Sequence, residues 1–136
     1  MGKEFHWFKD LEVEIESSTA KVSFIDGGEY GFSYTNAFIL ECIIGQFGLD
    51  IAHIDSIYYP DYFEKDRLPS REGFLSHIPT PDTMLQNIDN ILSNKKRYIK
   101  PFIIDNDAER YNDMIEYLQW FKTLCEQGYY ISFEHD

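Results

Sequence analysis

His53 and Asp55 stand two residues apart, a spacing that sets an imidazole near a carboxylate, the minimum equipment for general acid–base chemistry. In an aromatic-lined pocket the pair would act as acid and base on a small molecule or nucleotide. The other histidines, His6, His77 and His135, are scattered. No HExxH, CxxC, GxSxG, P-loop or GxGxxG spacing occurs, so no motif designates a metal, a nucleophile or a phosphate cradle. An isolated His-x-Asp is more often incidental than catalytic. Asp105, Asp107, Glu109, Asp113 and Glu116 superficially space acids like a calcium loop. There, however, the obligatory sharp-turn Gly would fall at Arg110, and helical periodicity runs straight through. The sequence therefore implies no catalytic residue, no metal and no cofactor.

Two constellations suit binding instead. Between Asp55 and Glu64, four aromatics interleave with three acids and no base, giving Asp55, Tyr58, Tyr59, Asp61, Tyr62 and Glu64 as contact candidates. Tyr supplies contact area at low entropy cost and carboxylates supply complementarity to a cation. The plainer reading is a strand ending at Pro60 with Tyr58 or Tyr59 in the core. The second set is Glu109, Asp113, Glu116 and Trp120, which share one side of a helix opposite its apolar face. Solvation and the helix dipole account for acids near a helix start. They do not account for Trp120, which either packs beneath the 64–80 connection, the expectation here, or anchors a partner.

The elements that must position these residues follow an α+β order in one domain of 136 residues. Leu11, Val13 and Ile15 alternate with Glu12, Glu14 and Glu16, and Lys21 to Asp26 alternates again, predicting a hairpin. Asp26-Gly27-Gly28 then turns into a third strand, Glu29 to Tyr34, completing an antiparallel β-meander. About three helices are predicted. The first runs from Thr35 or Asn36 to Phe47, apolar nearly all round and so buried, with Gly48 as its stop. The second opens at Pro81 and runs to about Leu92, and the third spans Asn106 to Gln127 before Gly128. Strands are also predicted near Ile54 to Tyr59 and Phe102 to Ile104. A last strand, Tyr129 to Phe133, joins the sheet. Residues 49–80 are otherwise a long connection.

Charge is the strongest signal. The net charge is -12, and the 43 residues between Lys21 and Lys65 contain no Lys or Arg. With 17% aromatic residues this is a folding chain rather than an acidic disordered tail. Its surface repels nucleic acid and attracts something basic. Lys95, Lys96, Arg97 and Lys100 form one positive island, which following a helix suits the C-terminal dipole. The N-terminus has no apolar core of a signal peptide, and His6 stands where myristoylation wants Ser or Thr. Ala37 to Phe47, the longest apolar stretch, is too short to cross a bilayer. Cys42 and Cys125 lack a paired spacing and read as reduced, buried thiols. The expectation is a cytoplasmic protein with no direct nucleic-acid or membrane partner.

In size, acidity and aromatic content the chain resembles the immunity proteins of bacterial polymorphic-toxin and contact-dependent growth inhibition systems. That resemblance covers charge, size and composition and carries over no site. It implies a non-enzymatic inhibitor that neutralises one cognate basic toxin, a nuclease for instance, by occluding its active-site cleft. Two other classes stand beside it: a small-molecule or nucleotide-processing enzyme using His53 and Asp55, and a nucleic-acid-mimic adaptor.

Overall fold

The first strand buries both of its faces, and this organises the molecule. In the computed structural model, which describes residues 2–59 and 69–134, strand β1 (Gly2–Phe8) sends Phe5 to one side and His6 and Phe8 to the other, all three buried. It pairs antiparallel with β4 (Gly28–Ser33) and with β7 (Tyr130–Glu134), and β5 (Ala52–His53) adds parallel to β7. The order of this sheet, sheet A, is β4-β1-β7-β5. A second sheet, sheet B, is the hairpin of β2 (Asp10–Ile15) and β3 (Ala20–Ile25) extended by β6 (Ile57–Tyr58).

Helices α1 (Tyr34–Gly45), α3 (Pro81–Ser93) and α5 (Ala108–Glu126) cover one face of sheet A. Phe5, Phe32, Ile131 and Phe133 meet Leu40, Ile43, Ile88, Leu118 and Phe121 there, with Phe5 and Phe121 stacked at 4.4 Å. Asn87 is the polar pin of this core, donating from Nδ2 to the Ile44 carbonyl at 2.9 Å and so tying α3 to α1. The other face of sheet A meets sheet B and α2 (Arg71–His77) around Phe8, Leu11, Val22, Ile54 and Ile78. Sheet A thus separates two cores. Arg71 hydrogen-bonds Asp10 through Nε at 2.9 Å, fastening α2 to the hairpin.

The α+β class, the antiparallel N-terminal strands and the C-terminal strand joining the sheet are present as expected. The strands are divided differently, since β2 and β3 form the predicted hairpin while β4 pairs with β1 in the other sheet. β1 itself went unforeseen because a strand buried on both faces shows no apolar–polar alternation. Ser33, not Thr35 or Asn36, caps α1, its Oγ accepting from the Asn36 N–H. Nor is α1 buried all round: Tyr34 and Phe38 share an outer face and are each 57% exposed. Asp107 caps α5 by accepting from the Arg110 N–H. Gly48 and Gly128 take positive φ after their helices, where a side chain would be strained. Phe102 to Ile104, predicted as a strand, instead spans the junction of two short 3-10 turns, with Ile103 alone extended between them. The basic island opens with a single turn, α4 (Lys95–Tyr98), capped by Asn94. Both cysteines are free thiols; Cys125 is buried as expected, Cys42 only half-buried. Burial pushes the Cys125 thiol up to about 12. No helix among the described residues is long and apolar enough to cross a membrane.

Candidate partner-binding surface

Helix α5 presents its two faces as the sequence pattern requires. Met114, Leu118, Phe121 and Cys125 are buried, and Glu109 and Glu116 are exposed with Asp113 half-buried beside them. Among the described residues Trp120 packs on sheet A, and residues 64–68 of the connection expected to cover it lie outside the described residues. Its indole meets Trp7 edge-on at 5.2 Å, Phe5 at 5.3 Å and Tyr30 at 5.6 Å, so it closes the helix against β1 and β4. Phe5 and Trp7 come from β1, the strand that the sequence pattern hid, and Tyr30 from β4. Tyr30 and Tyr117 complete the patch: Tyr30 is 44% exposed, and Tyr117 sits edge-on to Phe32 at 4.8 Å. Burial, then Tyr30, then the charges of Asp113 and Glu116 raise the Tyr117 phenol above its usual range. Glu109, Asp113 and Glu116 have no ion-pair partner among the described residues. The face is therefore an aromatic platform rimmed by uncompensated carboxylates.

The other candidate segment lies across sheet A. Tyr58 is half-buried on the sheet B core, 5.5 Å from Phe74, and its hydroxyl accepts from the Asp55 N–H at 3.0 Å. Tyr59 is 52% exposed. Burial, moderated by the Asp55 hydrogen bond, raises the Tyr58 phenol. Asp61, Tyr62 and Glu64 lie outside the described residues. Among the described residues the two sets lie on different cores, Trp120 on the helical one and Tyr58 on the hairpin one.

His53 Nε2 faces Glu41 Oε1 at 3.0 Å and Lys3 Nζ at 3.3 Å, and Lys3 itself pairs with Glu41 at 2.8 Å. The acid that engages its ring at Nε2 comes from α1, twelve positions earlier. A hollow of about 180 Å³, lined by Glu41, Asp50, Ile51 and His53, adjoins the trio.

A group that sequence reasoning passed over lies between the two sheets. Glu4-x-His6 has the same spacing as His53-x-Asp55, but its partner, Glu134, comes from the other end of the chain. The register sets Glu4 opposite Glu134 and His6 opposite both Ser132 and Glu29, all on the face turned toward sheet B. His6 Nε2 lies 3.0 Å from Glu134 Oε2 and 3.9 Å from Glu4 Oε2. The Ser56 N–H donates to Glu134 Oε1 at 2.8 Å. Glu4, hydrogen-bonded to Glu29, partly buried and in contact with Glu134, is pushed up to about 7. Burial alone would raise Glu134 as well, but the hydrogen bonds from Ser56 and His6 carry it down to about 2.

Compared with family models, curated proteins and solved structures, the chain matches none.

Proposed function

We propose that this protein is an acidic inhibitor that binds and neutralises a basic protein, in the manner of a bacterial immunity protein held in the cytoplasm against a cognate toxin. The observation that carries the reading is the α5–β4 face, where Trp120, Tyr117 and half-exposed Tyr30 sit beside Asp113 and Glu116, with Glu109 one turn before Asp113 on the same side of the helix. Aromatic anchors held on rigid elements slow dissociation, and carboxylates with no ion-pair partner among the described residues steer a cationic surface in. A net charge of -12 extends that field over the whole molecule. If the partner is a nuclease, the carboxylates stand where substrate phosphates would go, so the cleft is blocked without chemistry.

Co-expression of the untagged product of the adjacent gene, followed by purification and a salt series, tests the proposal. The expected result is a one-to-one complex with a basic protein that weakens as salt rises. Glu116→Lys is expected to slow association roughly 3- to 10-fold at low salt, while His53→Ala leaves affinity unchanged. An unchanged on-rate for Glu116→Lys removes the α5 face from the interface. If no partner is retained even at low salt, the inhibitor reading fails and the hollow beside His53 becomes the place to seek a ligand.

A further inference from the structure

We propose that Glu4, His6 and Glu134 form a binding site for a divalent transition-metal ion, with Zn²⁺ the best match. This inference is independent of the docking surface, which lies on the other side of sheet A.

The donor geometry is already close to what a metal needs. A tetrahedral zinc ion with bonds near 2.0–2.2 Å holds its ligand atoms about 3.3 Å apart. Here the two distances from His6 Nε2 are 3.0 and 3.9 Å, and the three donor atoms all lie within 4.8 Å of one another. The positions are set by paired strands rather than by loops, since β1 and β7 place Glu4 and Glu134 directly opposite. One imidazole nitrogen with two carboxylate oxygens is a donor set for zinc and its first-row neighbours. Magnesium and calcium prefer oxygen alone.

The surroundings behave as a supporting shell. The Ser56 N–H occupies Glu134 Oε1, which orients the carboxylate with Oε2 toward His6. Phe24 stacks on the His6 ring at 4.3 Å and fixes its plane. Glu29 stands directly opposite His6 on β4. Such contacts to the ligands typically matter 10–100-fold for metal affinity. The group is also short of positive charge, for three carboxylates converge on one imidazole and none of them pairs with Lys or Arg among the described residues.

A separate observation points into the same place. Ser132, the cross-strand neighbour of His6 and two residues before Glu134 on the same sheet face, is fully buried, and its Oγ has no hydrogen-bond partner among the described residues. Buried hydroxyls are rarely left so. A water in the open fourth position of a three-ligand zinc site would serve as its partner. Glu4, with its side chain 41% exposed, is the solvent side of the group and the route of entry.

The alternative is an ordinary buried His6–Glu134 hydrogen bond, and metal titration separates the two. The full chain, freed of metal with a chelator, is titrated with Zn²⁺ by calorimetry and with Co²⁺ by visible absorption. The expected result is one site per chain with micromolar or tighter affinity, a tetrahedral Co²⁺ spectrum, and a melting temperature raised by Zn²⁺. Glu4→Gln is expected to weaken binding at least ~10-fold and to abolish the zinc-dependent rise in melting temperature, with the metal-free fold intact. His6→Gln should weaken binding further, and the exposed Glu4 variant keeps the test decisive if His6→Gln fails to fold. His77→Ala, exposed and hydrogen-bonded only within α2 among the described residues, binds as the wild type does. The proposal is overturned if no stoichiometric Zn²⁺ binding is found at 100 μM, if Glu4→Gln binds as tightly as wild type, or if Mg²⁺ binds equally well.

Discussion

Replacing Trp120 with Ala strips out the ring that joins α5 to β1 and β4, and the loss can be sized. A fully buried Trp→Ala change costs ~3–5 kcal/mol, and each good aromatic pair adds ~0.5–1.5 kcal/mol beyond area. Trp120 is only partly buried, which reduces the first contribution, but it meets Phe5, Trp7, Tyr30 and Phe121, which restores much of it. The expected loss is about 3 kcal/mol, or about 10 °C in melting temperature for a chain of this length. Urea and thermal unfolding by near-ultraviolet circular dichroism measure it. Trp120→Phe keeps a ring in place and should cost only about 1 kcal/mol, while lowering affinity for a basic partner about tenfold. A loss below about 1 kcal/mol for Trp120→Ala would refute the claim that this residue pins the helix to the sheet.

Three further outcomes follow from the packing. Asn87→Leu leaves the buried Ile44 carbonyl without its donor and should cost about 1–3 kcal/mol, read as a lower urea midpoint at unchanged slope. Arg71, hydrogen-bonded to Asp10, holds that carboxyl below its ordinary 3.8. The folded value being the lower one, the contribution is present above pH 3.8 and lost as pH falls through the folded value. The stability gap between wild type and Asp10→Asn should close over that acid range in unfolding curves. Cys125, buried and held protonated up to about 12, should resist iodoacetamide at pH 8 in the folded protein while half-buried Cys42 labels, with both labelling in urea. Mass spectrometry of the peptides reads the outcome.

What the sequence revealed and what it hid divide along one physical line. Where one face of an element is wet, periodicity located it: the β2–β3 hairpin with its outward Glu12, Glu14 and Glu16, and α5 with Glu109 and Glu116 outside and Leu118 inside. Where both faces are dry or the segment is short, it failed. β1 carries Phe5 and Phe8 on opposite faces and so lacks alternation, β5 and β6 are two residues each, and α2 falls in a stretch read as a loop. The same blind spot hid the site residues, because Glu4 and His6 acquire Glu134 only through the pairing of β1 with β7. The acids of α5 were visible since helix spacing alone sets their common face. The contacts of Trp120 with Phe5 and Trp7 were hidden for want of β1.

The centre of sheet A joins two segments from far apart in the chain, with His6 and Glu134 separated by 128 positions. On the ribosome, β1 leaves the tunnel long before the strand that covers one of its edges has been made. Until β7 emerges, the nascent chain carries an open strand edge bearing Phe5, Trp7 and Phe8, the sort of segment that pairs with the wrong neighbour. Closing so distant a contact late makes folding slow relative to a helical domain of equal size. A break near β7 would open both cores at once, since Ile131 and Phe133 belong to one and Tyr130 to the other.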